Sequence, residues 1–230
     1  MRSVSRGYLH PGGPGHAASE LLELRGQRCL DVGCGIGDDA RAIAKAFDVH
    51  VVGIDQNPPD DRGCAVTFGG FFSGDVSDSR SFGLPCPNEA FDGGWLKRTL
   101  MHIANPAVVI GEIMRVVKPG GRVVAVEPEL EVVLIDSGVV DVTRKVLAMH
   151  AGAYSNAWDV RQLRRLLTQA GLTEVHAAPQ VMTIPDVAAF ETTLRLFSVA
   201  RAAVARGRAF ARAVMFVARG RVPAGSSNQQ

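Results

Sequence analysis

Asp31, Gly33, Gly35, Gly37 and Asp55 are the residues whose types and spacing most clearly could do chemistry. The apolar run Cys29 to Val32 contains Asp31 and breaks into a loop with glycine at 33, 35 and 37, and a helix-like segment begins at Asp38. A buried strand that feeds a glycine-rich turn and then a helix N-terminus brings backbone close to a nucleotide. Glycine is required there because a Cβ would hold a ligand off the backbone or forbid positive φ angles. A dinucleotide loop reads G-x-G-x-x-G, whereas this one reads Asp31-x-Gly33-x-Gly35-x-Gly37. An acid two residues before the first glycine suits a cationic ammonium group better than a pyrophosphate. Asp55 ends the next apolar run, from Val49, where an acid can accept both ribose hydroxyls of an adenosine.

The elements that must position these groups alternate along the chain. Strand signals cover 28–32, 49–54, 91–96, 121–127, 173–178 and 213–218, and helix signals 38–47, 106–117, 159–170 and 186–206. A short helix from Ala17 to Arg25 leads into the first strand. Lys118-Pro-Gly-Gly121 reads as a helix stop followed by a turn. A helical block at about 136–152 interrupts the alternation. The full count expected is seven strands, the last returning after a long helix. Alternation of this kind argues for an α/β fold with a parallel, doubly wound sheet. Residues 1–16 form a Gly/Pro/His-rich arm, 17–222 the folded domain, and 223–230 a tail of disordered composition.

The 230 residues are enough for one such domain with a full core. Apolar content of 47% and charged content of 21% are those of a globular protein, and a net charge of +2 favours no class of partner. Cys29, Cys34, Cys64 and Cys86 form no CxxC pair and no zinc-spaced set, which reads as reduced thiols. No apolar run reaches membrane-spanning length, and the start lacks a signal-peptide core, so a cytoplasmic location is expected.

Taken together, Leu30-Asp-Val-Gly-Cys-Gly-Ile-Gly37, Gly53-Ile-Asp55, Gly74-Asp-Val76, Phe91-Asp92, Leu100-Met-His102 and Val116-Val-Lys-Pro-Gly-Gly121 resemble the class I S-adenosylmethionine (SAM) dependent methyltransferases. They are most similar to the ubiquinone/menaquinone-biosynthesis branch, which includes natural-product tailoring enzymes. The resemblance spans about 17–222. It implies a Rossmann-like doubly wound seven-stranded sheet with a small helical lid, at about 130–158. It also implies SAM as cofactor, S-adenosylhomocysteine (SAH) as product, and a cofactor site at Asp31, Gly33, Cys34, Gly35, Gly37, Asp55, Gln56, Asp75, Val76, Leu96 and Lys97. Asp75 would meet the adenine amino group, and Trp95, Leu96 and Lys97 the methionine half. One departure stands out: Pro58, Pro59 and Gly63 leave no room for the usual helix behind Asp55. The adenine would then be more exposed, or covered by another element such as Phe71-Phe72 or the N-terminal arm.

Methyl transfer from a sulfonium asks mainly for alignment and exclusion of water, with a general base only where the acceptor must lose a proton. His102, Glu127 and His150 are the candidate catalytic groups, and Tyr154 and Trp158 the candidate substrate contacts. His102 follows the strand ending near Leu96 and could accept a proton or simply hydrogen-bond within the fold. Glu127 ends a strand, where open sheets face their ligand crevice. Glu129 and Glu131 read as solvated, and the spacing of Glu127, Glu129 and His150 gives no support to a metal site. The arginines from Arg195 to Arg221 read as a solvated face of a docking helix rather than a nucleic-acid surface. The expected partner is a small-molecule methyl acceptor, with neither nucleic acid nor membrane, and apolar positions in helix 186–206 suit a homodimer. The first reading is a SAM-dependent methyltransferase acting at O, N or C of a secondary metabolite. The second is a natural-product cyclase on the same scaffold, and the third a catalytically silent binding protein.

Overall fold

The structure, a computed structural model, describes residues 27–35, 37–55, 83–135, 140–154, 159–184 and 211–224. Six strands in these residues form one sheet: β1 (Arg28–Val32), β2 (His50–Ile54), β3 (Phe91–Lys97), β4 (Val117–Ile135), β5 (Thr173–Ile184) and β6 (Ala211–Arg221). Their order is β2-β1-β3-β4-β6-β5. The pairs β1–β2, β1–β3 and β3–β4 are parallel, while β6 runs antiparallel to both β4 and β5. The motif Gly74–Val76 lies outside the described residues, as do the N-terminal arm, the helix 17–25, the proline-interrupted segment behind Asp55 and the helix 186–206.

The helices are α1 (Asp38–Phe47), α2 (Pro106–Val116), α3 (Val140–Gly152) and α4 (Leu163–Gln169), with 3-10 turns at Leu100–His102 and Asp159–Gln162. α1 presents Ala40, Ile43, Ala44 and Phe47 at helical spacing to one apolar cluster with Cys29, Val51 and Trp95. α2 starts with Pro106 at its first position, where the missing N–H has no helical partner to lose. Val109, Ile110, Ile113 and Val116 then pack it against the other face, over Leu30, Val32, Leu96 and Val123. Parallel strands covered on both faces need apolar residues throughout, which explains the run Cys29 to Val32 and the run Val51 to Ile54.

The structure extends β4 in both directions beyond the expected 121–127. Phe91 pairs with Val117 and Gly93 with Arg122, so Lys118-Pro-Gly-Gly121 is a bulged excursion within a strand, with Gly120 at φ 80. At the other end β4 continues past Glu127 and Pro128 because β6 keeps pairing with it, to Ile135 opposite Ala211. β3 stops pairing at Val126, and a proline is tolerated on a strand with one open edge. Residues 130–135, assigned to the lid from sequence, therefore belong to the sheet. Arg219 and Arg221 lie on β6, with Arg221 held by Glu174 and the Gly120 carbonyl, rather than on a helix.

Candidate functional site

β1 lies between β2 and β3, so the chain leaves β1 toward one side of the sheet and later returns on the other. Open α/β sheets place their ligand crevice outside the carboxyl ends of strands at such a point. Gly33, Gly35 and Gly37 all have positive φ there, at 76, 56 and 79. The loop's donors are spent internally. Gly33 and Cys34 donate to the Ile54 carbonyl at 2.7 and 3.2 Å, Gly37 donates to the Cys34 carbonyl at 2.9 Å, and Gly35 donates to Asp55 Oδ2 at 2.8 Å. None of these N–H groups is left to hold a phosphate.

What the crevice has left over is an acceptor. Asp31 is 2% exposed, and its Oδ2 has no partner among the described residues. Burial pushes its pKa up to about 8, with repulsion from Asp39 and Asp55 adding to this and Lys97 opposing it. A buried acceptor facing a ligand asks for a donor, and a cationic donor restores the carboxylate. Next to this site a Cβ built on Gly35 meets nothing within 4 Å among the described residues, which is the open approach that a ligand needs. A Cβ on Gly33 would instead lie 2.4 Å from Thr99 Oγ1. Gly33 thus serves packing between two strand ends, and Gly35 leaves space for a ligand. An aminoacyl cation beside Asp31 and a ribose at Asp55 fit these residues.

The remaining candidates divide into three groups. Leu96 is fully buried in the core under α2, and Trp95 is buried on the opposite face among Ile43, Val124 and Met215. Lys97 forms an ion pair with Asp39 in the first turn of α1, and burial pulls its pKa down. Glu127 is 2% exposed, and its pKa is pushed up by burial to about 7 against the pull of backbone N–H groups. Its Oε1 accepts from the Thr99 and Leu100 N–H groups at 2.9 and 3.0 Å.

The third group lies in and beyond the turn that follows β3. His102 is exposed at the end of its 3-10 turn, and its ring lies 5.3 Å from that of Tyr154, tilted by 54°. Tyr154 packs against a small cluster of Met101, Leu130 and Ala151. Two candidates widely separated in sequence are thereby brought together. His150 lies on α3, while Gln56, Asp75, Val76 and Trp158 lie outside the described residues.

One expectation is corrected outright. Glu129 is not solvated but 2% exposed, and Arg161 binds it through Nε at 2.5 Å and Nη2 at 3.1 Å. Arg161 Nη2 also reaches Glu131 at 3.2 Å, so the guanidinium clamps the Asp159–Gln162 turn onto β4. Thr99 and Arg161 were both missed from sequence. Thr99 meets Val32, 67 positions away, and Arg161 meets Glu129, 32 positions away, links that no local pattern marks. Among the described residues no group of His, Cys, Asp and Glu is placed to hold a metal ion, and no helix is long and apolar enough to cross a membrane.

A glycine loop with spent donors, a buried orphan carboxylate and a second acid at the neighbouring strand end define a Rossmann-like site for a cationic nucleoside ligand. The methyltransferase domain family matches residues 30–125, and over that stretch the chain is similar to the class I SAM-dependent methyltransferases. It is 36% identical over 114 residues to 27-O-demethylrifamycin SV methyltransferase of Amycolatopsis mediterranei, covering 44% of this chain and 39% of that one. Phosphoethanolamine N-methyltransferase 2 of Haemonchus contortus, solved in complex with SAM, shares the fold at TM-score 0.59 and 18% identity, over 94% of this chain and 54% of that one. The [4+2]-cyclase SpnF shares it at TM-score 0.55 and 22% identity, over 92% of this chain and 81% of that one. The chain spans 56%, 25% and 47% of the length of three curated relatives that it matches.

Proposed function

We propose that the protein transfers the methyl group of SAM to an O, N or C atom of a small molecule, a secondary metabolite. The observation that carries this reading is the pairing of spent loop donors with the orphan carboxylate of Asp31. When bound, SAM supplies an electrophilic methyl on a sulfonium, suited to in-line displacement. Asp31 holds the ammonium of the methionine half, Asp55 receives the ribose hydroxyls, and Gly35 leaves the approach open. On the acceptor side His102 takes a proton from a hydroxyl or amine, and Tyr154 supplies an aromatic wall. Positioning of this kind is worth about 7–11 kcal/mol, and a general base adds about 10²–10⁴-fold. A small-molecule acceptor, no nucleic acid and no membrane, a cytoplasmic location and a homodimer belong to the same proposal.

The second reading, a non-methylating cyclase on this scaffold, draws on the Pro58-Pro59 interruption behind Asp55 and on the fold shared with a cyclase. A thermal-shift titration with SAM and SAH tests both. Ligand at a hundred times its dissociation constant stabilises by about 2.7 kcal/mol, a visible rise in melting midpoint. A rise with both ligands is the expected result, and turnover is then sought with hydroxyl and amine acceptors. No rise at millimolar ligand overturns the methyltransferase proposal.

A further inference from the structure

Glu127 sits in surroundings that a proton carrier does not need. β3 ends in a sharp turn at Arg98, a non-glycine residue at φ 55. Such a conformation is strained and persists only where neighbours over-determine it. The neighbours here are the Thr99 and Leu100 N–H groups, both donating to the buried Glu127 carboxylate. The Arg98 N–H also donates to the Val126 carbonyl at 2.9 Å. Buried N–H groups are costly to leave unpaired, so their hydrogen bonds to Glu127 let β4 fix the course of this turn.

The turn acts in two directions. Backward, the Thr99 hydroxyl lies 3.0 Å from the Val32 carbonyl and 3.1 Å from that of Lys97, and its side chain fills the space over Gly33. Forward, Leu100–His102 carries the imidazole to the Tyr154 ring. We infer that Glu127 and Thr99 form a positioning latch that holds the Val32–Gly33 end of the cofactor loop and the His102–Tyr154 pair in fixed relation. Glu127 is in this role a positioning residue. It acts through Thr99 and Leu100. What the latch serves rests on the methyltransferase reading, but its existence does not.

Two readouts test it: SAH affinity by calorimetry, and the His102 imidazole proton resonance, assigned by its loss in His102→Asn. In Glu127→Ala the turn loses its acceptor, so SAH affinity falls at least about tenfold and the His102 resonance moves toward its position in Tyr154→Leu. In Glu127→Gln the amide oxygen still accepts, so affinity stays within about threefold of wild type and the resonance stays in place. Unchanged readouts in a folded Glu127→Ala overturn the latch, and so does a Gln variant that behaves like Ala. If Glu127→Ala does not fold, Thr99→Val decides. It keeps the shape and both N–H donors but removes the tie to Val32, with an expected affinity loss of about three- to tenfold. Unchanged affinity there overturns the latch as well. A wild-type protein that fails to bind SAH sinks the cofactor reading instead, and the His102 resonance alone then decides the latch.

Discussion

Asp31 burdens the folded state, and replacing it by asparagine should separate stability from function. Its carboxyl is 2% exposed with one oxygen unpartnered, and it titrates near 8 instead of 3.8. Burial is the main cause. The unfolded chain releases this proton near pH 4, whereas the folded chain keeps it to about pH 8. Between these values the folded state binds more protons, so stability falls as pH rises and levels off above pH 8. A shift of this size, at 1.36 kcal/mol per pH unit, corresponds to about 5–6 kcal/mol. An asparagine in its place would have the same shape and no charge to bury, but its unpartnered amide costs about 1–3 kcal/mol. Asp31→Asn should therefore be the less stable protein at pH 4 and the more stable by about 3–5 kcal/mol at pH 9. Urea denaturation at each pH, with slopes compared, shows whether the two curves cross. Parallel curves with a constant offset would refute the reasoning, because Asp31 would not be titrating in this window. Removing the counter-charge from a bound ammonium costs about 2–5 kcal/mol, so calorimetry should find SAH binding weakened by at least about thirtyfold.

Other outcomes follow from the same geometry. SAH affinity should rise up to about tenfold per unit from pH 6 to pH 8, because binding requires Asp31 to lose its proton, and fall again as an amino group of ordinary pKa near 8 deprotonates; calorimetry across pH checks this. Gly33→Ala drives a Cβ into Thr99 and should cost about 2–4 kcal/mol in urea denaturation. Gly35→Ala meets no neighbour, should cost only about 1–2 kcal/mol, and should nonetheless abolish SAH binding. Arg161→Ala leaves Glu129 buried without its partner and should cost about 1.5–3 kcal/mol, part of it recovered when Glu129→Gln is added.

The parallel half of the sheet was legible because its rules are local. Strand 28–32 and helix 38–47 coincide with the structure, since buried runs, glycine breaks and helical spacing lie next to one another in the chain. β4 was misjudged at both ends. Pro119 and Pro128 look like breakers, but one falls in a bulge and the other on a strand with an open edge. The glycine loop after β1, with its positive φ angles, was legible for the same reason as the strands. The contacts around the end of β3 and β4 were not, because Thr99 meets Val32, Glu127 meets the end of β3 and Arg161 meets Glu129 only through the fold. Glu129 illustrates the limit. Its charge suggests solvent, and only a guanidinium from the 159–162 turn makes its burial tolerable.

The sheet is in effect two mechanical parts joined along β4. Up to Val126 that strand is braced on both sides, and beyond a register shift between Glu129 and Val133 it continues in an antiparallel ribbon with β5 and β6 alone. The family match ends at Ala125, two residues before Glu127 and short of Leu130, Ala151 and Tyr154, which pack together with Met101. Substitutions in the ribbon and in α3 can thus accumulate with little strain on the cofactor crevice. For directed evolution this marks where libraries belong. Diversity at Leu130, Ala151 and Tyr154 should retune acceptor choice, while the residues from Asp31 to Asp55 are best left as inherited hardware.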